Sequence, residues 1–285
     1  MTVLDELRVS LRQIAPVLAD ADANRRRVEE EVAAADADLV VFPELSLTGY
    51  TLGHRARELA VPLDGPPPLA LPEEGPLAVV GLVERGEDHL TYNAALAARG
   101  SRIVATHRKV YLPTYGTFDE GRVFAPGRRS VRPFEAAPGW CVGVIVCEDF
   151  WHPALSYLLA LQGMDVLVVL AAAPGRGIPG EGDGAVFAST GRWELIARTT
   201  ALLHGVYVGL CNRVGVEEGV TFAGGSLVVA PDGEVLARAP EAEEARLDVT
   251  LERDRIARAR QPYAHLRDED AAVALHTLER IVRER

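Results

Sequence analysis

Lysine is nearly absent from this chain. Of its 30 basic residues one, Lys109, is a lysine and the rest are arginine. In a sequence so given over to arginine, the one lysine marks a place where a planar guanidinium does not serve, because an ammonium is a compact point charge whose pKa can be moved. Cysteine is scarce as well. Cys141, Cys147 and Cys211 are an odd set without paired spacing, which excludes a disulfide framework and a zinc site and points to a reducing compartment. Positive charge is in deficit. The formal net charge of −11 excludes nucleic acid and anionic membrane surfaces as partners, since both need a concentrated positive field. No stretch approaches the roughly 18 consecutive apolar residues of a membrane span. The opening MTVLDELRVS carries acids where a secretory signal carries bases and an apolar run. The expected location is the cytoplasm.

What is there is ordinary globular material: 285 residues at 48 % hydrophobic content, enough for a large core without staples. Short apolar strands alternate with amphipathic helices through the first two thirds. Residues 7–14, 39–42, 77–84, 90–98, 102–107, 140–147, 165–171 and 206–211 read as strands, with a hairpin around Arg99-Gly100-Ser101. Residues 24–35 and 192–204 have helical spacing, and Pro153 suits the first turn of another helix. Arg25-Arg26-Arg27 against Glu29-Glu30-Glu31 reads as a solvated helix face. Residues 225–239 contain Ala-Pro-Asp-Gly, a hairpin turn between two β-rich runs. The mixture of βα units and hairpins predicts mixed sheets packed face to face with helices outside, in one domain over residues 1–285. Two segments look irregular, 64–75 and 174–191, and the second is long enough that either it is a functional lid or it holds structure the sequence pattern does not show.

Three polar residues stand at or just beyond the ends of buried-looking strands. Glu44 follows Leu39-Val40-Val41-Phe42-Pro43, Lys109 follows the run from Ile103 to Arg108, and Cys147 ends Val142-Gly143-Val144-Ile145-Val146. Strand ends are where a rigid sheet presents reactive side chains. Brought together, they make a nucleophilic site. The thiol needs a base or cation beside it. A partly desolvated Glu44 can take its proton and return it to a leaving amine. Lys109 can hold both groups and, with a backbone N–H after Cys147, face a developing oxyanion. Cys141 and Cys211, on strands beside Val or Leu, read as core packing. Cys141 lies at the far end of the Cys147 strand, which excludes it as a resolving thiol.

The segments around these residues resemble the nitrilase superfamily of carbon–nitrogen hydrolases. Leu39 to Leu45 with Thr48-Gly49-Tyr50 is similar to its glutamate motif, Arg108 to Pro113 to its lysine motif, and Cys147 to Pro153 to its cysteine motif. Asn212-Arg213-Val214-Gly215 and the stretch from Gly225-Ser226 to Pro231-Asp232-Gly233 match later strands. The resemblance implies a four-layer αββα sandwich and a Glu44, Lys109, Cys147 triad, with Glu120 as the second glutamate many members use. It implies a homodimer or larger homo-oligomer; no metal or organic cofactor is expected, because the thiol and the oxyanion site supply the chemistry themselves.

Within that superfamily, Tyr111 to Glu120 and Cys147 to Trp151 look most like the glutaminase domains attached to NAD synthetases. That likeness implies substrate contacts from Tyr115, Glu148, Asp149 and Trp151. No Ser-Gly-Gly-type pyrophosphate loop for ATP is found in these 285 residues, so the synthetase half is absent from them. Glu148 stands where true nitrile hydrolases usually carry tryptophan, which argues against a nitrile substrate. The leading expectation is an amidase that releases ammonia from a small carboxamide, an ω-amide or a glutamine-like compound, through a thioester. One alternative is an N-carbamoyl amidohydrolase, with Arg176 or Arg192 facing a substrate carboxylate. Another is a glutaminase-like subunit delivering ammonia to a separate synthetase.

Overall fold

The computed structural model describes residues 3–116, 118–127, 131–176, 187–263 and 265–284. Along the first half run β1 (Glu6–Gln13), α1 (Ala21–Ala33), β2 (Leu39–Val41), α2 (Arg55–Leu59), β3 (Leu77–Arg85), β4 (Thr91–Arg99), β5 (Arg102–Arg108) and α3 (Glu120–Val123). Then come β6 (Phe134–Ala137), β7 (Trp140–Val146), α4 (Pro153–Leu161), β8 (Val166–Ala171), α5 (Ala188–His204) and β9 (Tyr207–Asn212). The last part holds β10 (Val214–Glu217), β11 (Val220–Ala223), β12 (Leu227–Val229), β13 (Val235–Arg238), β14 (Ala245–Glu252), α6 (Arg253–Arg260), α7 (His265–Asp268) and α8 (Ala271–Glu284).

Two six-stranded sheets form from these strands, in the orders β14-β1-β2-β3-β4-β5 and β13-β12-β9-β8-β7-β6, with β10 and β11 as a separate hairpin. Both sheets are mixed: β1, β2 and β3 run parallel, as do β7, β8 and β9, while hairpins and returning strands add antiparallel edges. The side-chain alternation of β3 explains the layering. Leu77 and Val79 join the core between the sheets, whereas Ala78, Val80 and Leu82 face a second core with Val28 and Val32 of α1. On the other sheet, Leu155 and Leu159 of α4 and Trp193, Ala197 and Ala201 of α5 close the outer face. The result is a four-layer αββα sandwich. The Cys211 thiol donates across the sheet interface to the carbonyls of Arg12 and Val41, so this cysteine is core packing. Cys141, the second residue of β7, is only half-buried.

Helix α1 starts where the Asp20 carboxylate caps the Ala23 N–H and buries Asn24, Val28 and Val32 at helical spacing. Its charged face is not wholly solvated: Glu31 pairs with Arg12, which is buried on β1. The expected hairpin in 225–239 is β12 and β13, joined by a turn in which Gly233 N–H reaches the Ala230 carbonyl at 2.8 Å. Residues 64–75 carry no helix or strand. Of the proposed lid 174–191, residues 188–191 open α5, and 177–186 lie outside the described residues. Among the described residues no helix is long and apolar enough to cross a membrane.

Candidate active site

Glu44 follows β2 in a tight turn that needs room from its neighbour. At Gly81 on β3 a Cβ would stand 2.3 Å from Leu45 N and 2.6 Å from the Pro43 carbonyl oxygen, so glycine lets the turn lie against the strand. The Gly81 carbonyl also accepts from Leu47 N–H and its N–H donates to Ser46 Oγ, both at 3.0 Å. Lys109 follows the edge strand β5, with its own N–H on the Asn93 carbonyl. Cys147 turns the chain from β7 into a single 3-10 turn, residues 147–151, at a φ of 48°. A left-handed conformation at a non-glycine residue costs on the order of 1–3 kcal/mol and is held only by surrounding structure. The turn thus presents the sulfur at the sharp end of a buried strand.

Four of the expected residues meet in one enclosed cluster. Lys109 is fully buried, and its Nζ donates to Glu44 Oε1 and to Glu120 Oε1, each at 2.7 Å. Cys147, also buried, feels the charges of Glu44, Lys109 and Glu120 together. Two further residues complete the cluster and were not anticipated: Asn93 Nδ2 donates to Glu44 Oε1 at 2.7 Å, and the Tyr50 hydroxyl donates to Glu120 Oε1. An asparagine inside the alanine-rich strand β4 is the signal that could have found the first.

One ammonium faces three groups that can each be negative. Burial would lower the Lys109 pKa, but Glu44 and Glu120 outweigh it and hold the ammonium charged. Glu120 is raised to about 7, mainly by burial against the pull of Lys109, with the Glu44 charge adding to the rise. Burial and then Glu44 push the Cys147 thiol far up, against Lys109 and the Ala172 N–H. The resting site therefore holds a neutral thiol and a charged lysine. Glu44 Oε2 is buried with no hydrogen-bond partner among the described residues, an acceptor left open.

Outside the cluster, the Tyr115 hydroxyl donates to Glu148 Oε2 at 2.8 Å, and burial with that bond lifts Tyr115 to about 12. Tyr115 meets Phe118 edge-on, and the Arg176 guanidinium lies 5.2 Å from the Phe118 ring centre. Trp151 is half-exposed, edge-on to Trp193 of α5. Arg192 is exposed on α5. Asp149, expected to contact substrate, is instead fully buried. Its carboxylate accepts the backbone N–H groups of Val110, Tyr111 and Val146 and meets His107, which leaves it no free acceptor to offer. Among the described residues no three His, Cys, Asp or Glu side chains are grouped to hold a metal ion.

Comparison with known proteins bears on this arrangement. The carbon-nitrogen hydrolase family profile matches residues 8–261. A glutamine-dependent NAD(+) synthetase of Thermotoga maritima is 31 % identical over 261 residues, covering 88 % of this chain and 43 % of that protein. The chain thus spans a little under half the length of that relative. An (R)-stereoselective amidase of a Pseudomonas species is 30 % identical over 269 residues, covering 92 % of this chain and 91 % of the relative. In fold, a CN-hydrolase superfamily protein of Xanthomonas campestris superposes with a TM-score of 0.77 at 23 % identity, over 94 % of this chain and 98 % of the other. A profile match running from β1 into the residue after α6, on a sandwich that buries Glu44, Lys109 and Cys147 together, has one reading: the chain belongs to the carbon-nitrogen hydrolase family, the nitrilase superfamily.

Proposed function

We propose that this protein is an amidase that releases ammonia from a small carboxamide through a thioester on Cys147. The observation that carries the reading is the fully buried Lys109 ammonium held between Glu44 and Glu120, beside a thiol kept neutral at a left-handed elbow. Such a thiol needs its base in place. Glu44 Oε2 takes the Sγ proton as sulfur attacks the amide carbon, and the carbonyl π electrons move onto oxygen. Lys109 and the N–H after Cys147 stabilise that oxyanion. As it collapses, Glu44 returns the proton to nitrogen, the C–N bond breaks and ammonia leaves. Water, deprotonated by Glu44, then attacks the thioester; the acid leaves and sulfur regains its proton.

Glu148 and Arg176 carry opposite charges, and both act on Tyr115 beside the cluster. The Glu148 carboxylate, held by the Tyr115 hydroxyl, supports a substrate that carries an ammonium, as in a glutamine-like ω-amide. Ammonia release from glutamine, short ω-amides, N-carbamoyl amino acids and simple nitriles, measured for wild type and Cys147→Ala, tests the proposal. Release from an amide that is lost in the variant is the expected result. Preference for an N-carbamoyl substrate instead identifies an amidohydrolase of that class, and no release from any compound overturns an independent amidase. A second reading draws on the alignment to part of the NAD synthetases: a glutaminase-like subunit feeding a separate ATP-using enzyme. Its mark is glutamine hydrolysis that rises only when such a partner is added.

A further inference from the structure

Asp149 is a fully buried acid that the mechanism does not use. Asp149 Oδ1 accepts the N–H groups of Val110 and Tyr111, each at 2.9 Å, and Oδ2 accepts that of Val146 at 3.2 Å. One carboxylate thereby joins the loop that follows Lys109 to the strand end that precedes Cys147. A fourth contact completes its shell, His107 Nε2 at 2.7 Å from Oδ2. An ionised carboxylate only accepts, so Nε2 carries a proton and donates. The imidazole side chain is 10 % exposed, and it lines a surface cleft of about 1000 Å³ bordered by β5 and residues 132–134. Without the histidine, a buried charge would keep three amide donors and face the cleft on its open side. It would draw in water and slacken the bonds that set the loop spacing.

We propose that His107 and Asp149 are a positioning pair, which keeps Lys109 Nζ in register with the Cys147 sulfur by clamping the lysine loop to the nucleophile elbow. The inference rests on Cys147 being the nucleophile. Neither residue touches substrate, and both act through the backbone they hold. Loss of one hydrogen bond to a buried charge sets the size of the effect, about 10–100-fold in rate.

His107→Leu and His107→Gln test it, read by kcat, KM and the rate at which iodoacetamide alkylates Cys147, followed by peptide mass. His107→Leu should lower kcat by about 10–100-fold with KM little changed, and slow alkylation, because a displaced ammonium no longer favours the thiolate. His107→Gln, which still offers an N–H, should restore most of both. Wild-type values in His107→Leu overturn the proposal, as does a glutamine variant no better than leucine. Faster alkylation in His107→Leu also overturns it, since that marks an elbow merely loosened. Should His107→Leu fail to fold, Asp149→Asn of the same shape carries the comparison: slower alkylation supports the pair and a wild-type rate sinks it. If wild type hydrolyses no substrate, the amidase reading fails while the alkylation arm still decides this one.

Discussion

Glu120 turns the enclosed charge balance into a measurable dependence on pH. Its ordinary value is 4.5 and burial lifts it to about 7 in the fold. Between those values the folded chain keeps a proton that the unfolded chain has released. The associated stability is fully present below 4.5 and is lost as pH rises through 7. Glu120→Gln fixes the protonated shape. The unfolding free energy of that variant relative to wild type should rise by roughly 3 kcal/mol between pH 4.5 and 7.5, in urea melts taken across that range. A gap that does not move with pH would rule out this titration. Glu44, Lys109 and Cys147 stood out in the sequence because each ends or closely follows a strand-like run, and the resemblance of the segments around them to one family's motifs grouped them; the structure places their side chains in one buried cluster. The surroundings of Asp149 were not legible in the sequence, for a physical reason. An acid in Cys-Glu-Asp looks solvent-facing, and what satisfies it is the backbone of a loop 38 residues away. His107 and Tyr50 were hidden likewise, since their partners lie 42 and 70 positions along the chain.

Strands β2 and β3 show what a single methyl group decides at the level of an element. A Gly81→Ala substitution drives a Cβ into the backbone of the Glu44 turn, where no flexible side chain can yield. The expected loss is about 3 kcal/mol of stability, with most activity, because the turn must lift Glu44 off the strand. Gly191 provides the opposite case. It lies within α5 and a Cβ there meets nothing within 4 Å, so Gly191→Ala should stabilise by about 0.5–1 kcal/mol through helix propensity. Thermal melts of the two variants beside wild type check both signs. The long apolar strands and α5 could be read from periodicity, whereas β6, β10 and β11 could not, being four-residue pieces with little pattern. Strand β14 did carry a signal: Leu247, Val249 and Leu251 alternate with polar residues, as an edge strand paired to β1 over eight positions should.

At the scale of the whole molecule, apolar surface is left uncovered on one set of helices. Leu158 and Leu161 of α4, Leu195 and Leu202 of α5, and Val273, Leu275, Leu278 and Val282 of α8 are all exposed. We propose that a second copy covers part of this surface, in line with the homo-oligomer that the family resemblance implies. Sedimentation should give a dimer or larger for the full chain, and Leu195→Asp with Leu202→Asp should shift it toward monomer with the fold retained. A full chain that sediments as monomer refutes the assembly. The buried lysine has a consequence for handling the protein. Because Lys109 is the chain's lone lysine and is fully buried, an amine-reactive ester finds no accessible side-chain amine on the native protein. Denaturation adds one labelling site per chain. One mass increment beyond the label on the α-amine thus counts the molecules whose Lys109 cluster has opened, with no substrate and no engineered probe.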